Sequence, residues 1–466
     1  MPNFSFRSTN RPGRRAWSLP LAIAMLALSL PAVSLGGSSS PTAKLKPQVT
    51  NAARGPRGPR GFRGARGVRG AAGLQGLQGA QGPSGAQGAT GQQGTQGSVG
   101  PPGETGRGLD RAGFALTVID NTPGGAGGAA TSAAIGADGL GLVSYWDGPN
   151  NDLKVAHCSN AACTAATSET VDSAGSVGQQ GSVTIGADGL GLVSYGNGAN
   201  GNLKVAHCSN AVCSAATSAI LDTAGQDTSI TVGADGLGLV SYFDSTNQHL
   251  KVAHCLDAAC SGGTSATIDS AANVGYFTSI AIGVDGLGLV SYADGATADL
   301  KVAHCSNTAC SAATSATLDS AGFVGNYTSI TIGADGLGLV SYVDGTNGDL
   351  KVAHCSDVAC SGATSATLDS AGTVGFYTSI TIGADGLGLV SYQDVTNADL
   401  KVAHCSNLSC SAATTPTLDS AGFTGTYTSI TIGVDGLGLV SYLGPNGDLK
   451  VAHLSNTFGV PYVRRR

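Results

Sequence analysis

Apolar and small polar residues alternate in short runs through the C-terminal three quarters of the chain, and turn sequences separate the runs. In one 50-residue unit, Thr328–Gly333 alternates isoleucine with small polar residues, and an Asp-Gly turn leads to the apolar run Leu337–Val343. A turn containing Asn-Gly precedes Leu350–Cys355, and a fourth extended run covers Cys360–Leu368. Asp-Gly and Asn-Gly between alternating runs are typical of hairpins. Each unit is therefore predicted to form four antiparallel strands, called A to D in chain order.

The second of these strands is apolar on both faces. Leu337 and Leu339 lie on one side of strand B, and Val340 and Tyr342 lie on the other. A sheet with one solvated face would alternate apolar with polar residues, whereas a sheet stacked between neighbouring sheets buries both faces. No helical period of 3.6 residues competes with this pattern.

The unit occurs seven times, with predicted starts near residues 131, 181, 228, 278, 328, 378 and 428. Its marker, the first glycine of the motif I/V-G-x-D-G-L-G, stands at Gly136, Gly186, Gly233, Gly283, Gly333, Gly383 and Gly433. A fixed period of 47 to 50 residues is typical of propellers and solenoids. Four short strands per unit favour a propeller blade.

The two ends of the repeat region complement each other. The seventh unit stops after strand C at Leu449–His453, and Phe114–Asp120 stands where the other units have strand D. Pairing of these segments would close the ring and remove an exposed sheet edge. The fold class predicted for residues 112–466 is therefore all-β, a closed seven-bladed β-propeller of four-stranded blades.

The N-terminal segment has the order of a secretory signal peptide. Residues 1–34 carry several arginines, then the apolar run Leu19–Leu30, then a small-residue cleavage site. The run is too short to span a bilayer, and no second one occurs. The protein is predicted to be secreted, extracellular or at a cell surface, without a transmembrane anchor, and residues 35–54 are predicted to be a spacer.

Glycine falls at every third position from Gly55 to Gly106. Only glycine fits at the crowded axis of three wound chains, so this period predicts a collagen-like triple-helical stalk over residues 55–108. The stalk predicts a homotrimer. Proline is sparse in this segment, and a flexible glycine-rich linker is the alternative interpretation.

Charge differs between stalk and head. Residues 35–111 carry ten Lys or Arg and two acids, whereas residues 112–466 carry ten Lys or Arg and 28 acids. The arginines from Arg54 to Arg69 suit an anionic surface polymer, or they stabilise the triple helix itself. No nucleic-acid partner and no cofactor are predicted.

The cysteines occur in pairs at C-x4-C spacing, with none left over. The pairs are Cys158 and Cys163, Cys208 and Cys213, Cys255 and Cys260, Cys305 and Cys310, Cys355 and Cys360, and Cys405 and Cys410. In an exported chain this arithmetic predicts local disulfides, each between strands C and D.

Two metal interpretations compete with this one. The motif KVAHC-x4-C offers one histidine and two cysteines but lacks a fourth zinc ligand. Asp344, Asn347 and Asp349 resemble a calcium loop, although their spacing differs from the EF-hand pattern and such residues are common in hairpin turns. No metal site is predicted.

The units differ mainly in their B to C turns and D to A connections, which a four-stranded blade places on one face of the ring. The residues predicted to bind a ligand on this face are aromatic: Trp146, Phe243, Tyr276, Tyr327, Tyr377 and Tyr427. They would stack on sugar rings, so a glycan is the predicted ligand. The alternative is that exposed loops drift without constraint.

The units, such as DGLGLVSYVDGTNGDLKVAHCSDVAC, resemble sialidase-like, or BNR-type, propeller repeats of secreted bacterial proteins, and the glycine run resembles bacterial collagen-like proteins. A sialidase-like site implies an arginine triad, yet residues 112–463 contain no arginine and only one glutamate, Glu169. We therefore expect a structural or adhesive protein, not an enzyme, whose stalk presents propeller heads to a surface or matrix ligand. The alternative function is a propeller-class lectin or carbohydrate-active enzyme.

Overall fold

The computed structural model describes residues 114–121 and 130–455. The predicted signal peptide, spacer and collagen-like stalk lie outside the described residues. Within the described ranges every regular element is a β-strand, and the strands form seven antiparallel sheets around one axis. The prediction of a seven-bladed propeller with four-stranded blades is confirmed.

The strands follow the chain blade by blade, and only the seventh blade borrows a strand from elsewhere in the sequence. Blade 1 contains β2 (Thr131–Ile135), β3 (Gly141–Asp147), β4 (Asp152–Cys158) and β5 (Ala166–Asp172). Blade 2 contains β6 (Val177–Ile185), β7 (Gly191–Asn197), β8 (Leu203–Cys208) and β9 (Ala216–Asp222). Blade 3 contains β10 (Gln226–Val232), β11 (Gly238–Asp244), β12 (His249–Cys255) and β13 (Gly263–Asp269). Blade 4 contains β14 (Val274–Ile282), β15 (Gly288–Asp294), β16 (Asp299–Cys305) and β17 (Ala313–Asp319). Blade 5 contains β18 (Val324–Ile332), β19 (Gly338–Asp344), β20 (Asp349–Cys355) and β21 (Ala363–Asp369). Blade 6 contains β22 (Val374–Ile382), β23 (Gly388–Asp394), β24 (Asp399–Cys405), β25 (Ala413–Thr414) and β26 (Thr417–Asp419). Blade 7 contains β27 (Thr426–Ile432), β28 (Gly438–Leu443), β29 (Leu449–Leu454) and β1 (Phe114–Asp120).

Two boundaries differ from the sequence-based expectation. Strand A begins up to four residues earlier than predicted, at Val324 instead of residue 328 in blade 5, because a β-bulge lets the strand continue into the preceding connection. Strand D begins at Ala363 instead of Cys360, since Cys360 lies in the loop between β20 and β21, where its disulfide partner Cys355 ends β20. In blade 6, Pro416 divides strand D, because proline has no N–H to donate to the ladder.

The N-terminal strand closes the ring as predicted. β1 pairs with β29 in antiparallel register, with Phe114 opposite Leu454 and Thr117 opposite Val451. It is the outermost strand of the last blade, in the order β1, β29, β28, β27. Residues from the two ends of the repeat region therefore complete one sheet.

The hydrophobic core lies between neighbouring blades. Every residue of β19 is buried, and the cluster around it joins Leu300 and Val302 of blade 4 to Ile330 and Val340 of blade 5. The apolar character of strand B on both faces is explained by this stacking.

A ring of hydrogen bonds links the inner strands around the axis. In blade 5 the Ile330 N–H donates to the Ser279 hydroxyl of blade 4 at 3.2 Å, and the Ala133 N–H of blade 1 donates to Ser429 of blade 7 at 3.0 Å. The same bond occurs at each of the seven boundaries. The inner strands are therefore held in one register around the whole ring.

A buried triad also joins each blade to the next. The carboxylate at the end of strand D accepts hydrogen bonds from a tyrosine and a lysine of the following blade; Asp319 accepts from the Tyr342 hydroxyl at 2.6 Å and from Lys351 Nζ at 2.5 Å. At the closure, Asp120 of β1 accepts from Tyr145 and from Lys154, the latter at 3.0 Å. The closing strand thus reproduces the contact made inside the repeats.

The face of the ring that carries the A to B turns also carries the disulfides and the pairs of histidine with aspartate. Six disulfides join the predicted cysteine partners, and all of these cysteines are fully buried. The repeat histidine pairs with the aspartate of the A to B turn, as in the 2.8 Å contact between His354 Nε2 and Asp335 Oδ2. Asp335 also accepts the Leu337 N–H of its own turn, so histidine and carboxylate fix the turn geometry.

One break in the symmetry leaves a hydroxyl without a partner. The strand B serine of a blade bonds the strand A threonine of the next blade, as in the 2.9 Å bond between Ser341 and Thr378. Blade 2 has Gly181 at the threonine position, and the buried Ser144 Oγ of blade 1 makes no hydrogen bond to the described residues.

Replacing Gly181 by threonine is expected to give a more stable head than replacing it by valine, because a Cβ at this position lies 3.2 Å from the Ser194 carbonyl oxygen in both variants and only threonine adds a hydroxyl. Pairing of that hydroxyl with Ser144 is worth about 1 kcal/mol of unfolding free energy, so the thermal midpoint of the threonine variant should be about 2–4 °C higher than that of the valine variant. Differential scanning calorimetry of Gly181→Thr checks this, and Gly181→Val is the control because it has the same shape without the hydroxyl. A threonine variant no more stable than the valine variant would contradict the assignment.

Candidate binding site at the central axis

A cavity of about 210 Å³ opens on the axis, on the face that carries the B to C and D to A connections. Each blade contributes two consecutive residues, located at or near the start of strand A, its innermost strand. The second is threonine in every blade except blade 2, which has glycine. The first varies, and around the ring it is Ala130, Gln180, Asp227, Phe277, Tyr327, Tyr377 and Tyr427.

All seven variable residues have the left-handed backbone conformation. Their φ angles lie between 49° and 77°. In blade 5 the ladder shifts register between Asn326 and Ser329, so Tyr327 occupies a β-bulge. Bulges re-aim side chains at sites of this kind. Residues other than glycine are uncommon in this conformation. Here the strained conformation recurs in every blade, at the residue that lines the axis.

Aromatic rings cover one side of the cavity. The ring centroids of Phe277 and Tyr327 are 4.6 Å apart, those of Tyr327 and Tyr377 are 4.7 Å apart, and those of Tyr377 and Tyr427 are 4.3 Å apart. Neighbouring rings are tilted by 42° to 55°. We call these four residues the aromatic arc. Tilted contacts at such distances are favourable between aromatic side chains, so the arc forms a firm apolar wall.

The other side of the cavity is polar. The Gln180 Oε1 atom accepts the Asp227 N–H at 3.1 Å, and Asp227 Oδ2 accepts the Phe277 N–H at 3.3 Å. Burial raises the pKa of Asp227 to about 6, although hydrogen bonds from Phe277 and Gln180 oppose the shift. Asp227 therefore carries a negative charge at neutral pH and loses it as the pH falls through about 6.

The tyrosine hydroxyls of the arc stay protonated in the physiological range. Burial raises the pKa of Tyr377 to about 12, and burial also raises the pKa of Tyr327 and of Tyr427. These phenols are therefore hydrogen-bond donors as well as apolar surfaces.

The predicted ligand-binding residues fall into two groups. Tyr327, Tyr377 and Tyr427 converge on the axial cavity. Phe243 and Tyr276 instead stack on each other at 4.2 Å between blades 3 and 4, with Phe243 only 5% exposed.

The remaining predicted residue and the residues that the prediction omitted are also placed by the structure. Trp146 is the penultimate residue of β3 and is half-buried, and its Nε1 atom makes no hydrogen bond to the described residues. Phe277, Asp227 and Gln180 were not among the predicted site residues although they line the cavity. The signal that identifies them is their position directly before the repeated Thr-Ser or Gly-Ser dipeptide.

The two motifs that resemble metal sites have other roles in the structure. The cysteines of KVAHC-x4-C form disulfides and the histidines bond turn aspartates. Asp344 accepts the backbone N–H groups of Thr346 and Asn347, so its carboxylate stabilises the B to C turn. Across residues 114–121 and 130–455, no group of three potential ligands is close enough to hold a metal ion. The same ranges contain no helix long and apolar enough to cross a membrane.

Comparisons with known proteins match the two parts of the chain separately. A family model described as collagen triple helix repeat matches residues 51–108. No curated protein matches the sequence significantly.

The propeller resembles solved structures at low identity. Hydrazine synthase from Kuenenia stuttgartiensis is 12% identical, with a TM-score of 0.50 over 72% of this chain and 97% of that one. An ulvan lyase of polysaccharide lyase family PL25 is 10% identical with a TM-score of 0.49, over 72% and 95% of the two chains. The α-L-arabinofuranosidase Arb93A from Fusarium graminearum is 11% identical with a TM-score of 0.44, over 73% and 97%. At such identities the likeness to the hydrazine synthase shows the fold alone.

Proposed function

We propose that the propeller head binds an uncharged glycan in the axial cavity and does not cleave it. One observation carries this proposal. Seven nearly identical repeats diverge at the single inner position that faces the axis, and there they supply four aromatic rings on one side and a glutamine and a carboxylate on the other. Drift alone would not be expected to sort aromatic and polar residues onto opposite sides.

The chemistry of the lining suits a sugar. Pyranose rings have apolar C–H faces and polar edges, and they match a wall of aromatic rings opposite hydrogen-bonding groups. Gln180, Asp227 and the tyrosine hydroxyls supply donors and acceptors for the edges. The acidic head, with ten Lys or Arg against 28 Asp or Glu in residues 112–466, disfavours an anionic polymer here.

The number of carboxylates supports binding without cleavage. Among the described residues that line the cavity, Asp227 is the sole carboxylate. Most glycoside hydrolases need two, about 5 to 9.5 Å apart. One carboxylate beside amides and phenols holds a sugar but provides no acid and base pair.

A collagen-like stalk would strengthen this binding by joining several heads. A secreted trimer with a collagen-like stalk would carry three heads, and simultaneous binding multiplies a weak single-site affinity. We propose a secreted structural and adhesive protein that attaches to a surface or matrix glycan through its heads.

Replacing Tyr377 by alanine is expected to weaken glycan binding at least about tenfold, since a wall of the cavity is removed. The fold should survive, because Ala130 already occupies the equivalent position in blade 1 with the same backbone conformation. The measurement is isothermal titration with cello-, xylo-, manno- and chitohexaose, and with hexagalacturonate as the anionic comparison.

Phe423→Ala is the matched control for Tyr377→Ala. This phenylalanine lies in a D to A connection, is 53% exposed and does not line the cavity. Equal losses in both variants, preference for hexagalacturonate, or absence of binding to every neutral hexasaccharide would overturn the proposal. Release of shorter sugars from a bound hexasaccharide would show that the head is an enzyme.

A further inference from the structure

A second cavity, of about 200 Å³, lies between blades 2 and 3 beside the axial one. Gln180 lines both cavities. The other side chains of the second cavity are those of Gln179, Asn197 and Gln226, and three glycines complete its wall. We call it the amide groove. The two cavities are therefore adjacent at Gln180.

The residues that fill the equivalent space at two other boundaries are absent here. Between blades 3 and 4 the space is filled by Phe243 stacked on Tyr276. Between blades 6 and 7 it is filled by Gln393, which is 1% exposed and donates to the Thr424 carbonyl at 3.0 Å.

At the boundary of blades 2 and 3 the residue equivalent to Phe243 and Gln393 is Gly196, opposite Gln179 in the ladder. The marker glycines of blades 2 and 3 are also only 47 residues apart, whereas the other spacings are 50. The missing three residues belong to the D to A connection that would otherwise cover this boundary. Deletion and glycine substitution therefore coincide at one of the seven boundaries.

The groove presents uncharged hydrogen-bonding groups. Gln226 is exposed, and its side chain makes no hydrogen bond to the described residues. The Gln179 Nε2 atom donates to Ser176 at 3.2 Å, so its Oε1 atom is left to accept. No charged side chain is found among the described residues of the groove lining. Carboxamides offer both donors and acceptors, which is the set that sugar hydroxyls match.

We propose that the amide groove is a second sugar subsite, which binds the units adjacent to the one held by the aromatic arc. The ligand class is then a linear, uncharged oligosaccharide longer than a disaccharide, and the groove sets the direction in which it leaves the axis. This proposal rests on the proposed function of the axial cavity.

The test uses the full chain and pairs of probes that differ only in length: cellohexaose with cellobiose, xylohexaose with xylobiose, mannohexaose with mannobiose, and chitohexaose with chitobiose. Gln226→Ala removes one amide from the groove, and Gln226→Tyr fills it as Tyr276 fills the next boundary. Loss of hydrogen bonds is expected to weaken hexasaccharide binding about 3- to 10-fold in each variant. Disaccharide affinity is expected to stay unchanged.

Asn326→Ala is the matched control, because Asn326 is the amide at the same strand position in blade 5 and lies outside both cavities. It should leave both affinities unchanged. If a hexasaccharide binds in a Tyr377-dependent manner but neither Gln226 variant affects it, the groove proposal is wrong and the axial site stands. If no neutral hexasaccharide binds, the axial proposal fails first, and the groove proposal fails with it.

Discussion

Deletion of β1 (Phe114–Asp120) is expected to open the ring and to cause a large loss of stability. The deletion exposes the backbone edge of β29 and removes the Asp120 carboxylate from Tyr145 and Lys154. Lys154 then keeps only the 3.9 Å contact with Asp147, in a place where its side chain is 16% exposed, and removing one partner of a largely buried ion pair costs up to about 3–5 kcal/mol. With the lost strand pairing, the thermal midpoint should fall by more than about 10 °C.

The measurement combines calorimetry with the mass in solution of the full chain and of its deletion variant. The freed edge of β29 is a template for pairing with other chains, so the variant should also associate beyond the parent chain. Leu116→Ser is the control, since Leu116 is 39% exposed on β1 and its replacement keeps the backbone pairing. Unchanged midpoint and mass after deletion would show that closure by β1 does not stabilise the head.

The fold could be predicted because the same local pattern of strands and turns occurs seven times in the sequence. Strand B shows two apolar faces at every copy, and turn residues mark the same places in each. Repetition turns weak local signals into a strong one. The closure could also be predicted, since the last copy lacks a strand D and Phe114–Asp120 supplies the missing pattern.

The axial site was less accessible from sequence. An aromatic residue in a connection can line the axis or pack between blades. A one-residue shift in strand register decides between the two positions, and a β-bulge produces that shift. Tyr276 and Phe277 are neighbours in sequence, yet the first stacks on Phe243 and the second joins the aromatic arc. Asp227 and Gln180 were not predicted as site residues, because their role appears only when seven copies are arranged in a ring.

The triads between blades were also missed, although their members occur in every unit. The carboxylate lies at the end of strand D and its partners lie in the next unit, 23 and 32 residues later for Asp319. Local strand patterns do not reveal such pairs. Only the stacking of one sheet on the next brings a polar group into a region that is otherwise apolar.

Replacement of Asp319 by alanine is expected to destabilise the head by about 3 kcal/mol or more. The change leaves Lys351 charged in a nearly buried position, with its side chain 13% exposed, and removes the acceptor of the Tyr342 hydroxyl. Calorimetry of Asp319→Ala measures the loss. The double variant Asp319→Ala, Lys351→Met should recover part of it, because the uncompensated charge is then gone.

The same triads predict how the stability depends on pH. Burial raises the pKa of Asp319, but hydrogen bonds from Lys351 and Tyr342 outweigh burial, so the pKa lies below its usual value. The pKa is lowered in the same way at Asp172, Asp222, Asp269, Asp369 and Asp419. A carboxylate whose pKa is lower in the folded state stabilises the fold fully above its unfolded pKa of about 4 and loses this contribution as the pH falls.

The thermal midpoint of the head should therefore change little from pH 7 to 5 through these groups and fall steeply below about pH 4. Asp319→Ala should show a smaller fall than the parent, since one of the coupled carboxylates is absent. Glu169→Gln is the control: Glu169 is an exposed carboxylate of β5 and its side chain forms no hydrogen bond or ion pair with the described residues. If the parent and the Asp319 variant lose the same number of degrees between pH 5 and pH 3, the triads do not govern acid stability, and the buried lysines must be balanced by other groups.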